Sequence, residues 1–174
     1  MKKFLIVVDM QKDFVDGALG SEEARAIIPN AVKKIESFTG DIFVTFDTHF
    51  DDYLDTAEGK KLPVKHCVVD TEGWQLNDDI LSALAGRVFV PVRKRTFGSV
   101  ELGLLIAQAS GGEKFSIELI GLCTDICVVS NALLLKAFFP EAQISVDSTC
   151  CAGVTPALHE AALETMRSCH IDVH

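Results

Sequence analysis

The residues of this chain that could do chemistry fall into four short clusters. The first, Asp9-Met10-Gln11-Lys12-Asp13-Phe14, follows directly on the apolar run Phe4–Val8. An acid at the carboxyl end of a strand is placed for acid–base work or for holding a metal ion, although it also serves simply to end the strand. The second cluster is Thr45-Phe46-Asp47-Thr48-His49. If strand geometry persists, Asp47 and His49 project from one face, as two ligands of one ion would. Glu58 and His66 follow, and Asp, His, Glu and His together make a mixed nitrogen–oxygen set suited to zinc, manganese or iron. A solvated acidic surface around Asp51, Asp52 and Asp55 is the competing reading.

The third cluster, Arg93-Lys94-Arg95, comes straight after the run Val88–Val92. Arg93 and Arg95 are expected at the surface. Lys94 either joins them or reaches the site, where it would lower or orient a carboxylate. The fourth is Gly121-Leu122-Cys123-Thr124-Asp125-Ile126-Cys127-Val128. A strand ends near Gly121 and a helix begins near Asp125, with Thr124 as its N-cap. Cys127 then lies in the first helical turn, where free N–H groups and the helix dipole favour a thiolate and can hold an oxyanion. A buried structural thiol and a redox pair with Cys123 are the alternatives, but C-x-x-x-C is not the usual C-x-x-C redox spacing.

These clusters need a scaffold, and the periodicity supplies one. Phe4–Val8, Ile42–Phe46, Val88–Val92, Ile117–Ile120, Ile144–Val146 and Ile171–Val173 are short runs rich in Val, Ile and Phe, the pattern of strands buried on both faces. Stripes at helical spacing separate them. One is Ala24, Ile27, Ile28, Ala31, Val32 and Ile35; others run through Leu76–Leu84, Leu102–Ala109, Ile126–Ala137 and Leu158–Met166. The alternation predicts a three-layer α/β/α domain over residues 1–174, around a mostly parallel sheet of five or six strands. Thr48 to Gly73 reads as a long polar loop after a strand, at the edge where open α/β sheets bind ligands. Residues 47–73 are thus expected to form an insert that carries the metal ligands.

Composition narrows the function. The 174 residues carry 16 Lys and Arg against 25 Asp and Glu, a formal charge of −9. Nucleic acid and anionic membranes reward a basic face, so a small-molecule substrate is expected instead. Phe4–Val8 is broken by Asp9, short of the roughly 7–15 apolar residues of a signal peptide and the about 20 of a membrane helix. A cytoplasmic location is expected. The six cysteines show no framework spacing and are read as thiols, with Cys150 and Cys151 assigned to packing. Trp74 is expected to anchor the following helix to the sheet, and His159 to make a local hydrogen bond.

Taken together, Asp9-Met10-Gln11-Lys12-Asp13-Phe14, Lys94 ahead of Thr96-Phe97-Gly98-Ser99, and Gly121-x-x-Thr124-Asp125-x-Cys127-Val128 resemble the isochorismatase-like cysteine hydrolases in order and spacing. The likeness extends over nearly the whole chain. Asp47-x-His49 with a later His66 is similar to the metal-binding nicotinamidase branch. The resemblance implies a catalytic triad of Asp9, Lys94 and Cys127, and a non-proline cis peptide at Leu122–Cys123. It also implies an oxyanion hole from the backbone N–H groups of Cys123 and Cys127. Asp47, His49, Glu58 and His66 would hold one divalent ion, zinc first, with manganese or iron as alternatives. Phe14, Leu62 and Phe97 would line the substrate pocket, Leu62 standing where such enzymes commonly carry an aromatic. The implied substrate is nicotinamide and the implied assembly a homo-oligomer. Hydrolysis of another small amide, such as a carbamoyl or ureido compound, and a non-catalytic receiver-like signalling module remain the competing functions.

Overall fold

Each apolar run becomes a strand: β1 (Lys2–Val8), β2 (Asp41–Asp47), β3 (Phe89–Lys94), β4 (Phe115–Leu122), β5 (Gln143–Ala152) and the short β6 (Asp172–Val173). The computed structural model describes residues 1–174. All six strands are parallel and lie in the order β3-β2-β1-β4-β5-β6. Eight helices fill the connections: α1 (Lys12–Val15), α2 (Glu22–Ala26), α3 (Ile28–Ser37), α4 (Ala57–Lys61), α5 (Asp78–Ala83), α6 (Val100–Ser110), α7 (Val129–Phe138) and α8 (Pro156–Ser168).

Alternation along the strands divides the core in two. Phe4, Ile6 and Val8 of β1 face α6, α7 and α8 through Leu102, Ile106, Ala132, Leu135, Leu163 and Met166. Leu5 and Val7 face the opposite layer, through Ala24, Ile28, Ala31, Ile35 and Ile80. A period of two is what sends neighbouring residues to opposite sides. The chain leaves β1 for β2 on one side and later returns to β4 on the other, so the sheet has a switch point between β1 and β4. The carboxyl ends there diverge to leave a crevice. Gly121 lets β4 pass close to β1: its φ is +119° and a Cβ would collide with the backbone of Val8.

Three helical expectations are corrected. The stripe from Ala24 to Ile35 is two helices, because Pro29 has no N–H to give and occupies the first turn of α3, where none is needed. The face of α7 is rotated: Val128, Asn131, Ala132 and Leu135 are buried, whereas Ile126, Val129 and Leu133 are half-buried and Ala137 is exposed. A π-helical turn over Thr124–Val128, with Val128 N–H donating to the Cys123 carbonyl five residues back, shifts the register that a 3.6 period assumes. Thr48–Gly73 is not a bare loop either. It holds a 3₁₀ turn at Tyr53–Asp55 and α4, capped by Thr56, whose hydroxyl accepts from Gly59 N–H at 3.0 Å.

Behind β4 and β5, the Lys34 ammonium donates to Glu118 Oε1 at 2.9 Å and pairs with Asp147 Oδ2 at 2.8 Å. Burial acts to raise Asp147, but Lys34 and Thr149 outweigh it and hold the carboxyl below its usual range; the two acids hold Lys34 above its own. Asp147 therefore contributes stability that is present above its unfolded value and is lost as pH falls through the depressed folded value. Lys34→Met is expected to cost about 1–3 kcal/mol at neutral pH in urea titrations, a gap that narrows below about pH 4 as Asp147 protonates.

Candidate active site

Four strand ends deliver the four clusters to one place. Asp9 follows β1 with φ +49°, a left-handed backbone that turns its carboxylate under the crevice. Asp47 ends β2, opposite Lys94 at the end of β3 in the register. The cis peptide Leu122–Cys123 follows β4 and leads into the turn that carries Cys127.

Lys94 is at the centre and is only 3% exposed. Its Nζ lies 2.6 Å from Asp9 Oδ2, 3.3 Å from Cys127 Sγ and 3.5 Å from Asp47 Oδ1. Burial opposes the charged ammonium, yet the Asp9 and Asp47 carboxylates more than offset it, and Lys94 is held firmly protonated. Asp9 is pushed above the usual carboxylate range by its complete burial, with Lys94 pulling the other way. Its Oδ1 accepts from the Thr45 hydroxyl at 2.6 Å, while Oδ2 is the oxygen paired with the Lys94 ammonium.

The expected thiolate is corrected. Cys127 is buried, and burial together with the Asp9 carboxylate holds its thiol well above the ordinary range against the pull of Lys94. A position at a helix start favours the anion, but desolvation here outweighs it. Cys127 therefore rests as a neutral thiol beside a base. Thr124 is not the N-cap either: the capping position is Cys123, and the Thr124 hydroxyl hydrogen-bonds His159 Nδ1 at 2.8 Å. His159 thus makes a hydrogen bond, but to a residue 35 positions away rather than the local one expected.

The insert brings the second set together. His49 N–H donates to the Cys67 carbonyl and Val69 N–H to the His49 carbonyl, both at 2.9 Å, a strand-like bridge that lays His66 beside His49. His49 Nε2 is 2.9 Å from Asp47 Oδ2 and 3.6 Å from Glu58 Oε1; His66 Nε2 is 3.6 and 3.7 Å from the same two atoms. All four ligand atoms lie within 4.8 Å of one another. These residues fit a divalent cation. His49 Nε2 is fully buried with no aligned hydrogen-bond partner, and His66 Nδ1–H donates to the Val64 carbonyl at 2.8 Å, turning the lone pair of Nε2 into the cluster. Burial raises Asp47, but the two imidazoles and Lys94 prevail and hold it well below the carboxylate range.

A cavity of about 630 Å³ opens from Cys127 to this cluster, lined among others by Phe14, Leu62, Phe97, Cys123 and Ile126. All three residues expected at the substrate are on its wall. Arg93 and Arg95 are exposed as expected, stacked over Trp74 and Phe50. Trp74 packs on Phe46 and donates from Nε1 to the Thr48 hydroxyl at 3.0 Å, so it anchors the start of the insert rather than the next helix.

Several residues around the site were not assigned a role by spacing. Gln11 brackets the backbone of Asp47, its Oε1 accepting from Asp47 N–H at 2.8 Å and its Nε2 donating to the Asp47 carbonyl at 2.9 Å. Asp13 Oδ2 accepts from Cys67 N–H at 2.8 Å, next to His66. Tyr53 packs edge-on against both His49 and His66, and its hydroxyl donates to the Leu62 carbonyl at 2.9 Å. The alternation Asp9, Gln11, Asp13 was a signal for the first two; Tyr53 gave none.

The chain and its fold are similar to known proteins. Residues 3–173 match the Isochorismatase domain. The isochorismatase family protein PncA of Bacillus subtilis is 30% identical over 146 residues, spanning 76% of this chain and 78% of that protein. The chain therefore belongs to the isochorismatase family of hydrolases. Among solved structures, the nicotinamidase/pyrazinamidase PncA from Bacillus subtilis superposes with a TM-score of 0.85 at 27% identity, covering 99% of both chains. The pyrazinamidase of Pyrococcus horikoshii, in complex with zinc, gives 0.79 at 26% identity over 100% of this chain and 99% of that one.

Two outcomes follow from the burial and the clamps. Iodoacetamide at pH 8 is expected to label the exposed Cys169 first and to leave Cys67, Cys150 and Cys151 unmodified until the chain is unfolded, as read by peptide mass spectrometry. Gln11→Ala leaves the Asp47 N–H unpaired and is expected to cost about 2–3 kcal/mol in urea unfolding.

Proposed function

We propose that this protein is a metal-dependent cysteine amidohydrolase that converts nicotinamide and water to nicotinate and ammonia. The single observation that carries the reading is Lys94 Nζ in simultaneous contact with the Asp9 carboxylate, the Cys127 thiol and Asp47, a member of a four-residue cluster that could hold a metal ion. The names of the similar structures, nicotinamidase and pyrazinamidase, and the zinc held by one of them support it.

Asp9, raised by burial, takes the proton from Cys127, and the sulfur attacks the carboxamide carbon. Lys94 stabilises the charge as it moves between the two. The oxyanion is received by the backbone N–H groups of Cys123 and Cys127. Asp9 then hands the proton to the departing nitrogen, ammonia leaves, and a Cys127 thioester remains. Asp9 next takes a proton from water, whose oxygen attacks the thioester carbonyl, releasing the acid and restoring the thiol. Asp47, His49, Glu58 and His66 would hold a divalent cation, zinc first and manganese or iron by the same donor set, whose chemistry is to receive the ring nitrogen and orient the substrate. Phe14, Leu62 and Phe97 flank the ring. Residues 1–174 act as one catalytic unit, with the 47–73 insert supplying the metal side. A homo-oligomer is the proposed assembly and the cytoplasm the proposed location.

Leu62 favours one second reading. It offers no ring to stack on, so the same machinery suits another small amide, such as a carbamoyl or ureido compound.

Ammonia release from nicotinamide separates the two. Metal-loaded wild type should release it; Cys127→Ala should lose at least roughly a thousandfold in rate, and His49→Ala should lose most activity. A folded, metal-bound wild type that releases none would exclude nicotinamide and favour the second reading. Zinc at a hundred times its dissociation constant should stabilise the apo-protein by about 2.7 kcal/mol, an effect absent in His66→Ala. The acid limb of kcat/KM rises as Asp9 deprotonates. Lys94→Met removes the pull that lowers Asp9, so in the residual activity that limb should move to higher pH.

A further inference from the structure

We propose that Asn131 is a positioning residue that locks the Cys127 turn to the Phe97 wall of the cavity, a role that rests on the cysteine-hydrolase reading above. Asn131 is completely buried on α7. A buried amide is costly unless its donors and acceptor are used, and here they are. Nδ2 donates to the Cys127 carbonyl at 2.8 Å and to the Phe97 carbonyl at 3.1 Å, while Oδ1 accepts from Ser99 N–H at 2.9 Å.

Those three bonds reach two elements that the helix itself does not join. On one side is the π-helical turn that aims the Cys127 sulfur at Lys94. On the other is the segment after β3, which follows Lys94, carries Phe97 to the cavity and ends at Ser99. The Ser99 hydroxyl caps α6 by accepting from Leu102 N–H at 3.1 Å. The approach is close: a Cβ at Gly98 would sit 3.1 Å from the Ser130 carbonyl oxygen and 2.5 Å from Leu134 Cδ1, which would have to swing aside, both on α7. Asn131 thus sets the nucleophile and one wall of the substrate cavity at a common separation, without touching either substrate or sulfur.

The bond to Cys127 governs the rate and the bonds to Phe97 and Ser99 govern substrate fit, so the two are separable. Asn131→Ala removes all three. It should lower kcat by about 10- to 100-fold, the scale set by an ångström of misplacement, and raise KM several-fold. Asn131→Ser can return a hydroxyl donor to the carbonyl four residues back and should recover most of kcat while KM stays raised. A readout that needs no substrate accompanies these: the rate of Cys127 alkylation by iodoacetamide, per folded molecule, should rise about tenfold in Asn131→Ala as the turn loosens around the buried thiol. Should the alanine variant fail to fold, Asn131→Asp serves in its place, since it keeps the Ser99 contact but turns an acceptor toward two carbonyls. Variants that lower the thermal midpoint yet keep wild-type kcat, KM and alkylation rate would overturn the proposal. Wild type inactive on nicotinamide would sink only that substrate, and the alkylation comparison would still decide the role of Asn131.

Discussion

A buried ammonium is the constraint around which this molecule is arranged. Lys94 is almost entirely out of water, and an unpaired cation in such surroundings would be prohibitive. Asp9 and Asp47 neutralise it from two directions, and each comes from a different strand end. The strand order β3-β2-β1-β4 is what makes this possible. Lys94 pairs with Asp47 in the parallel register, Thr45 of β2 binds Asp9 after β1, and β4 closes the crevice with Cys127. A slip of one residue in any strand would turn its terminal charge to the wrong face.

Asp47 joins two halves with different tasks. One carboxylate oxygen faces Lys94 and the other faces the imidazoles of His49 and His66. Asp9 and Cys127 therefore lie beside the cluster of Asp47, His49, Glu58 and His66, joined to it through one buried carboxylate. Burial acts on both halves. It pushes Asp9 above the usual carboxylate range and holds the Cys127 thiol well above its own. A permanently ionised sulfur would be more nucleophilic at rest but would put a further charge into a site that already holds three.

The site residues are held largely through their backbones. Gln11 brackets Asp47, Asp13 holds Cys67 beside His66, and Asn131 holds Cys127 and Phe97. Such clamps leave the functional side chains free to interact with one another while fixing where each one starts. They also account for an otherwise expensive set of buried polar groups, each satisfied by the main chain it positions. Tyr53 does the same by packing, wedged against both histidines of the insert.

The amino-acid sequence by itself determined whatever depends on near neighbours. Runs such as Phe4–Val8 and Ile42–Phe46 declare buried parallel strands through composition alone, and Asp47-x-His49 brings a carboxylate and an imidazole to one face by the period of two. The motifs around Asp9, Lys94 and Cys127 were legible for the same reason, as side chains just past strand ends. What only the tertiary structure decided depends on partners far along the chain. Thr124 gave up a cap for His159, thirty-five residues away. The face of α7 turned on a π-helical turn that no 3.6-residue period reveals. Cys127 lost the ionisation its helical position suggested, because desolvation is set by everything packed around it. The clamps of Gln11 and Asn131 likewise exist only once Asp47 and Phe97 are beside them. Periodicity is a local property of the chain, whereas burial and charge pairing are properties of the whole packed fold, and the chemistry of this site resides in the second.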